Sequence, residues 1–251
     1  MKLPSKTLER KLFADGYRYI IAVDEVGMGC LAGPVVVCAV LFDKKFFKKK
    51  HKKLSWLRDS KLLSAKQREE FVNRLFQISN FKFRVSYCYP KTVDKINIYQ
   101  AARKAMKRAI TELTSKLEIH PLENSREASS RAKAPTKKLL LAAKSRGLRA
   151  GRISNLPKVV VLIDGKTKIQ RLPLEQSAIV KGDRKVFAIA CASIIAKVFR
   201  DKMMTKYAKK FPGYGFEKHK GYGTKEHQVQ LAKLGPCTIH RKSFAPVAKL
   251  I

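Results

Sequence analysis

Asp24 and Glu25 stand side by side near the end of an apolar, β-branched run, and Asp164 closes a second such run, KVVVLID. A carboxylate at the end of a buried strand loses its hydration. It persists there when it is paired, hydrogen-bonded or bound to a cation. One such acid is ordinarily a turn residue, as the Asp164-Gly165 pair would be; three at two strand ends suggest a shared task. A further acid follows a helical stretch that is apolar from Val186 to Phe199 except for Ser193 and Lys197. Ser193, Lys197 and Asp201 are spaced i, i+4, i+8 and form one polar stripe. Two readings of Asp201 stay open: an i, i+4 ion pair with Lys197, or a carboxylate aimed at the same place as the strand-end acids. Four oxygen donors with no histidine cluster suit a hard divalent cation, Mg²⁺ or Mn²⁺, and not zinc. Two such ions neutralise the acids, activate a water and stabilise the leaving oxygen of a phosphodiester.

The acids lead into a glycine-rich link, Gly27-Met28-Gly29-Cys30-Leu31-Ala32-Gly33. Its spacing suggests a dinucleotide loop, but such a loop needs a helix N-terminus directly after its glycines. Pro34 and a valine run follow instead. The nucleotide-dependent oxidoreductase reading therefore gives way to a glycine-rich hairpin, whose glycines still allow close approach of backbone to a ligand.

The elements that would position these groups can be read along the chain. Residues 18–26, 34–42 and 158–165 read as strands, and 81–90 alternates Phe81, Phe83, Val85 and Tyr87 against polar partners. QSAIVKGD, residues 176–183, reads as a short edge strand and turn. Helices are expected at 63–78 with Ser64 as cap, 95–117, 184–210, and 223–235 with Thr224 as cap and Gly235 as stop. This order does not alternate as a doubly wound fold does, and implies a mixed sheet flanked by helices. Residues 118–157 lose periodicity and read as a disordered or loosely helical basic insertion.

Composition narrows the partner. Of 251 residues, 55 are Lys or Arg and 19 are Asp or Glu, a net charge of +36. That surplus points to a polyanion. It concentrates in residues 43–53 and about 126–158, each of which reads either as a solvated loop or as a nucleic-acid contact. Cys30, Cys38, Cys88, Cys191 and Cys237 form no C-x-x-C pair and read as reduced thiols. The N-terminus has no signal-peptide core, and no apolar run reaches the length of a membrane span, so the expected address is the cytosol.

Five stretches together resemble ribonuclease HII: VDEVGMGCLAGPVV, LRDSKLLS, VLIDG, IVKGDRKVFAIACASIIAKVFRD, and the run from Phe211 to Val247. They occupy most of residues 18–111 and 158–247, in the family's order. The resemblance implies an α/β fold, an RNase H-like mixed β-sheet flanked by helices with a helical C-terminal extension. It makes residues 1–251 one catalytic domain carrying the 118–157 insertion, acting as a monomer. It implies endonucleolytic cleavage of RNA in RNA–DNA hybrids and at single ribonucleotides in duplex DNA, leaving a 3′-hydroxyl and a 5′-phosphate. Carried over by residue, Asp24, Glu25, Asp164 and Asp201 are the catalytic metal-site carboxylates for Mg²⁺ or Mn²⁺, with two ions in the active complex. Lys61, in Asp59-Ser60-Lys61, and Lys181 meet backbone phosphates, and Tyr222 stacks on the sugar beside the ribonucleotide. Gly27, Met28 and Gly29 form the substrate loop, with Met28 where the family has arginine. Asp201 and the short N-terminus argue against ribonuclease HIII, which has a Glu and an added N-terminal domain. The rival from another class is a catalytically silent nucleic-acid-binding protein on the same fold. It accounts for the charge but not for four carboxylates that repel phosphate unless a cation neutralises them.

Overall fold

The computed structural model describes residues 4–48, 54, 63–79, 81–115 and 158–251. Lys61 with its Asp59-Ser60 neighbours, the end of the 43–53 run and the 118–157 insertion lie outside the described residues. The described elements, in chain order, are α1 (Thr7–Ala14), β1 (Tyr19–Val26), β2 (Val35–Asp43), α2 (Lys44–Lys48), α3 (Ala65–Phe76), β3 (Lys82–Cys88), α4 (Pro90–Ile96), α5 (Ile98–Ser115), β4 (Val159–Asp164), β5 (Glu175–Ile179), α6 (Gly182–Lys185), α7 (Phe187–Lys210), α8 (Phe216–His219), α9 (Lys225–Leu234) and α10 (Ala245–Ala248).

The strands form one five-stranded sheet in the order β3-β2-β1-β4-β5. β1–β2 and β2–β3 are antiparallel, whereas β1–β4 and β4–β5 are parallel. The central strands are continuous β-branched runs because both faces are covered. α7 packs on Ile20, Ala22, Cys38, Val40 and Phe42; α5 packs on Ile21, Val23, Val37 and Ala39 of the opposite face. Alternate residues of one strand thus feed two separate cores. The parallel register pairs Val23 with Ile163, so Asp24 and Asp164 follow side by side at one edge of the sheet.

Several expectations are refined by packing. The helix expected over 95–117 is two helices, α4 and α5, separated by Asn97 at φ 64°. On β3 the buried residues are Ser86 and Cys88, while Phe83 and Val85 are only half-buried, because β3 has a neighbour on one side alone. The 43–53 run starts as α2, whose Phe46 and Phe47 pack against Phe42 and Phe187 rather than lying in a solvated loop. α1, which the sequence reading left out, supplies Glu9. Its buried carboxylate accepts from Ala188 N–H at 2.8 Å and so caps the first turn of α7 from another element. The Ser64 and Thr224 caps and the Gly235 stop are in place. Among the described residues no helix is long and apolar enough to cross a membrane. All five cysteines are free; Cys237 is half-buried and the others are buried.

The C-terminal extension folds back on the loop between β1 and β2. Arg200, fully buried on α7, donates to the carbonyls of Pro34 (3.0 Å), Ala32 (3.1 Å) and Lys220 (2.9 Å). Arg241, also fully buried, donates to Gly33 (3.1 Å) and Met28 (2.9 Å). Gly27 and Gly33 have φ of +91° and +86°, and a Cβ would lie 2.3 Å from Arg200 Nε or 2.4 Å from Met204 Sδ, respectively. These two glycines let the loop close over the protein's own side chains.

Arg200→Met would leave three buried carbonyls without a donor. We expect a loss of about 3 kcal/mol or more, since each unsatisfied buried group costs ~1–3 kcal/mol. Denaturant unfolding checks this; a loss below about 1 kcal/mol would show that the guanidinium does not hold the loop.

Candidate active site

The strand-end acids face a cavity of about 270 Å³. Asp24, Glu25 and Val26 enter from β1, Gly27, Met28 and Gly29 from the loop, and Asp164 from β4. Asp183 enters from α6, Ser193 and Lys197 from α7, and Tyr222 from the C-terminal extension. A larger cleft of about 490 Å³ beside β3 contains one acid, Glu112. The chemistry of the lining, not size, marks the smaller cavity as the candidate site.

Each acid is held by its own surroundings. Asp24 is buried, accepts from Glu25 N–H at 2.7 Å and is hydrogen-bonded to Ser193. Burial pushes its carboxyl well above the usual carboxylate range, and the charges of Glu25 and Asp164 push it further. Asp164 accepts from Gly182 N–H at 2.6 Å. Burial also raises its carboxyl; the backbone bonds oppose the shift, and the charge of Asp183 adds to it. This is a set of oxygen donors under mutual repulsion, a chemistry that suits a hard divalent cation. Among the described residues no three His, Cys, Asp or Glu side chains are already drawn together as a metal site.

Asp201 stands apart from the other expected acids. The structure does not bring Asp201 to this cavity. Its carboxylate pairs with Lys197 Nζ at 2.8 Å and with Arg68 of α3 at 3.6 Å. α7 carries Ser193 and Lys197 past the sheet edge, and one turn later the stripe has left the acids behind. The i, i+4 ion pair is thus present. A fourth acid on the cavity is Asp183, which is buried. The sequence did carry a signal for it. β5 runs parallel to β4 and β1, so an acid just after its end, in VKGD, falls at the same edge as Asp24 and Asp164.

The other expected residues separate similarly. Gly29 is exposed, with nothing within 4 Å of where its Cβ would be, so its backbone stays open to a ligand. Met28 is half-buried against the α5-side core. Lys181 is exposed at the turn before α6, with φ 57°, and does not line the cavity. The Tyr222 ring lies 5.4 Å from Lys197 Nζ and 5.7 Å from the Arg200 guanidinium. Three histidines do cluster, contrary to expectation, but in the C-terminal extension: His219 stacks on His227 at 4.3 Å, and His227 lies 5.3 Å from His240.

A family model described as ribonuclease HII matches residues 21–146 and 125–247. A ribonuclease HII from Caldicellulosiruptor bescii is 40% identical over 237 residues, 94% of this chain and 91% of the relative. The chain belongs to the ribonuclease HII family. It is thus a hydrolase of the ribonuclease H type, an endonuclease. Solved structures agree in fold. The ribonuclease HII of Archaeoglobus fulgidus, in a PCNA:RNase HII complex, superposes with a TM-score of 0.60 at 23% identity, covering 92% of this chain and 96% of that one. Bst-RNase HIII in complex with Mn²⁺ gives 0.56 at 16% identity, covering 94% and 70%. The expected mixed sheet flanked by helices is the sheet observed.

The electrostatics yield a prediction. Asp24 titrates higher folded than its unfolded value near 3.8, so its contribution to stability is full below that pH and is lost as pH rises through the folded value. Without divalent cation, Asp24→Asn should have a higher Tm than the wild type at pH 7, with the gap closing toward pH 4. Equal Tm values at both pH values would show that Asp24 is not electrostatically strained.

Proposed function

We propose that this chain hydrolyses RNA in RNA–DNA hybrids and at single ribonucleotides embedded in duplex DNA, leaving a 3′-hydroxyl and a 5′-phosphate. The observation that carries the reading is the meeting of Asp24, Glu25, Asp164 and Asp183 on one cavity, with burial and like charge raising Asp24 and Asp164. A cation is the natural relief of that repulsion, and the all-oxygen donor set fits Mg²⁺ or Mn²⁺. Mn²⁺ in the related ribonuclease HIII supports the choice. These four residues would hold the ions, two in the active complex. Bound there, the ions would supply Lewis acidity and a water of lowered pKa.

The remaining lining is suited to the nucleic acid. The exposed backbone at Gly29 can meet a 2′-hydroxyl, the group that separates RNA from DNA. The Tyr222 ring, 38% exposed, offers a flat surface to a sugar. Lys181, exposed one residue before the Gly182 N–H that holds Asp164, would meet a phosphate; the same role is proposed for Lys61, which lies outside the described residues. Met28 brings no charge to the loop, so phosphate binding there falls to the surrounding lysines. The net charge of +36 attracts duplexes before any specific contact forms. A silent binding protein would not need acids that repel its ligand.

Cleavage of a duplex with one ribonucleotide, in Mg²⁺ or Mn²⁺, tests the assignment. Asp24→Asn, Asp164→Asn and Asp183→Asn should each lower kcat by about 10³-fold or more, several kcal/mol of transition-state stabilisation. Asp201→Asn should stay within about tenfold of the wild type, the range of a broken ion pair that also steadies Lys197. Near wild-type rates for Asp183→Asn, with collapse for Asp201→Asn, would reverse the two roles.

The insertion gives a separate test. Deleting residues 120–155 should leave a folded enzyme whose duplex affinity is weaker regardless of sequence. The log–log salt slope should become shallower by about 0.9 for each phosphate the protein no longer neutralises. An unchanged slope would remove the basic segment from the nucleic-acid interface.

A further inference from the structure

The histidine cluster of the C-terminal extension is not used by the chemistry above, yet it ends on a wall of the cavity. His227 and His240 are buried, at 0% and 2% exposure. Their neighbours fix every proton. Cys237 N–H donates to His240 Nδ1 at 2.9 Å, so that nitrogen is bare and the ring's proton sits on Nε2. His240 Nε2 lies 3.1 Å from His227 Nε2, which must accept. The His227 proton is therefore on Nδ1, from which it donates to the Tyr222 carbonyl at 2.9 Å. The line runs from Cys237 through two neutral rings to the backbone of Tyr222.

The surroundings keep the pair neutral. His219 stacks on His227, and its own ring accepts from Gly221 N–H at 3.1 Å and shares a 2.7 Å bond with the Tyr214 carbonyl. Tyr214 faces His240 at 5.2 Å and sends its hydroxyl to the Gly235 carbonyl, and Phe216 covers both rings. The Cys237 thiol lies 3.1 Å from His240 Nδ1. Glu226, the acid beside His227 on α9, turns out to Lys218 at 3.0 Å. Arg241, next to His240, points its charge into the loop carbonyls. Burial lowers both rings, His240 to about 4, and the charge His227 would carry lowers His240 further. Adding a proton to either ring puts two N–H groups face to face, or removes the acceptor of Cys237.

We propose that the neutral His227–His240 pair is a positioning device for ribonucleotide recognition: it fixes the backbone of Tyr222, and with it the ring that walls the cavity, and protonation of the pair releases that wall. The inference rests on the reading that Tyr222 faces the sugar. The flanking backbone is held by Leu31 N–H on the Gly221 carbonyl at 2.8 Å, by Arg200 on the Lys220 carbonyl at 2.9 Å and by Tyr222 N–H on the His219 carbonyl at 3.0 Å; the histidine pair joins at the Tyr222 carbonyl. Tyr222 bridges Cys30, and its carbonyl also receives Thr224 N–H at 2.8 Å, so the His227 bond sets the turn from which α9 starts. A histidine whose folded pKa is depressed contributes stability in full above its unfolded value, 6.5, and loses it as pH falls toward the folded one. The pair therefore works at neutral pH and fails in acid.

Two measurements on the full chain test this. Nitrogen-15 spectra of the imidazoles at pH 7 should show His240 protonated on Nε2 only and His227 on Nδ1 only. A cationic ring, or the opposite tautomers, overturns the proposal. Kinetics give the functional arm, with KM for a one-ribonucleotide duplex and Ki for the all-DNA duplex as competitor. His227→Leu should raise that KM by about two- to tenfold, the range of one missing hydrogen bond, with kcat and Ki little changed. His240→Gln, which keeps a donor toward His227, should retain most of the wild-type KM and keep it flat from pH 6 to 4, where the wild type rises as the pH approaches the folded value of His240, about 4. Should His227→Leu fail to fold, the His240→Gln pH profile decides. Combining His227→Leu with Tyr222→Ala should add nothing to the effect of Tyr222→Ala; additive effects, or a wild-type KM flat with pH, overturn the proposal. No change in Tyr222→Ala alone would sink the sugar-facing reading and the functional half of the inference with it, while the spectra report the pair separately.

Discussion

A guanidinium does not give up its charge at neutral pH, so a chain that buries one must bring oxygens to it. Here two buried guanidinia draw five carbonyls around them, four of them between Met28 and Pro34. Arg200 comes from α7 and Arg241 from the C-terminal extension, so the same loop is tied to both. Burial lowers Arg241 to about 10, which still leaves it charged at neutral pH. The glycines follow from this constraint. Gly27 and Gly33 stand where arginine and methionine side chains leave no room for a Cβ, and of the loop glycines Gly29 alone faces open space.

The lock matters because it joins parts of the site that are far apart in sequence. The sheet brings Asp24 and Asp164 to one edge through the parallel β1–β4 register. The loop that leaves this edge is the one the arginines hold, and it carries Met28 and Gly29 into the cavity. The extension that Arg241 anchors returns Tyr222 to the opposite wall through the Cys30–Tyr222 bridge. A shift in the loop would therefore move the substrate wall together with the acids' surroundings.

The site is built under strain that has a physical use. Asp24 and Asp164 sit where burial and like charge disfavour their ionised forms. Backbone N–H groups from Glu25 and Gly182 orient the carboxylates without neutralising them. Lys197, the cation that α7 brings to the cavity lining, is turned to Asp201, which Arg68 also holds. The Lys197–Asp201 pair thus keeps a lysine at the cavity's rim without letting it quench the acids.

The sequence by itself determined a great deal. Its β-branched runs specified the central strands, its Ser64 and Thr224 caps and Gly235 stop bounded two helices, and its ordered motifs specified the family. These features are local, or are read directly as residue patterns, so no folding was needed to see them. Asp24, Glu25 and Asp164 were legible for the same reason: an acid ending an apolar strand is anomalous within a few residues. That Asp183 lines the cavity while Asp201 pairs with Lys197 and Arg68 was not legible. It depends on where α7 leaves the sheet edge, on β5 being parallel to β4, and on Arg68 of another helix meeting Asp201. The histidine pair, the Glu9 cap on α7 and the arginine lock were hidden likewise. Each joins groups from separate segments, 13 residues apart for the two histidines and 208 for Arg241 and Gly33, and only packing brings such partners within hydrogen-bond reach. Periodicity reports which face of an element is buried. It does not report which polar group on another element meets that face, and this was decided by the tertiary structure alone.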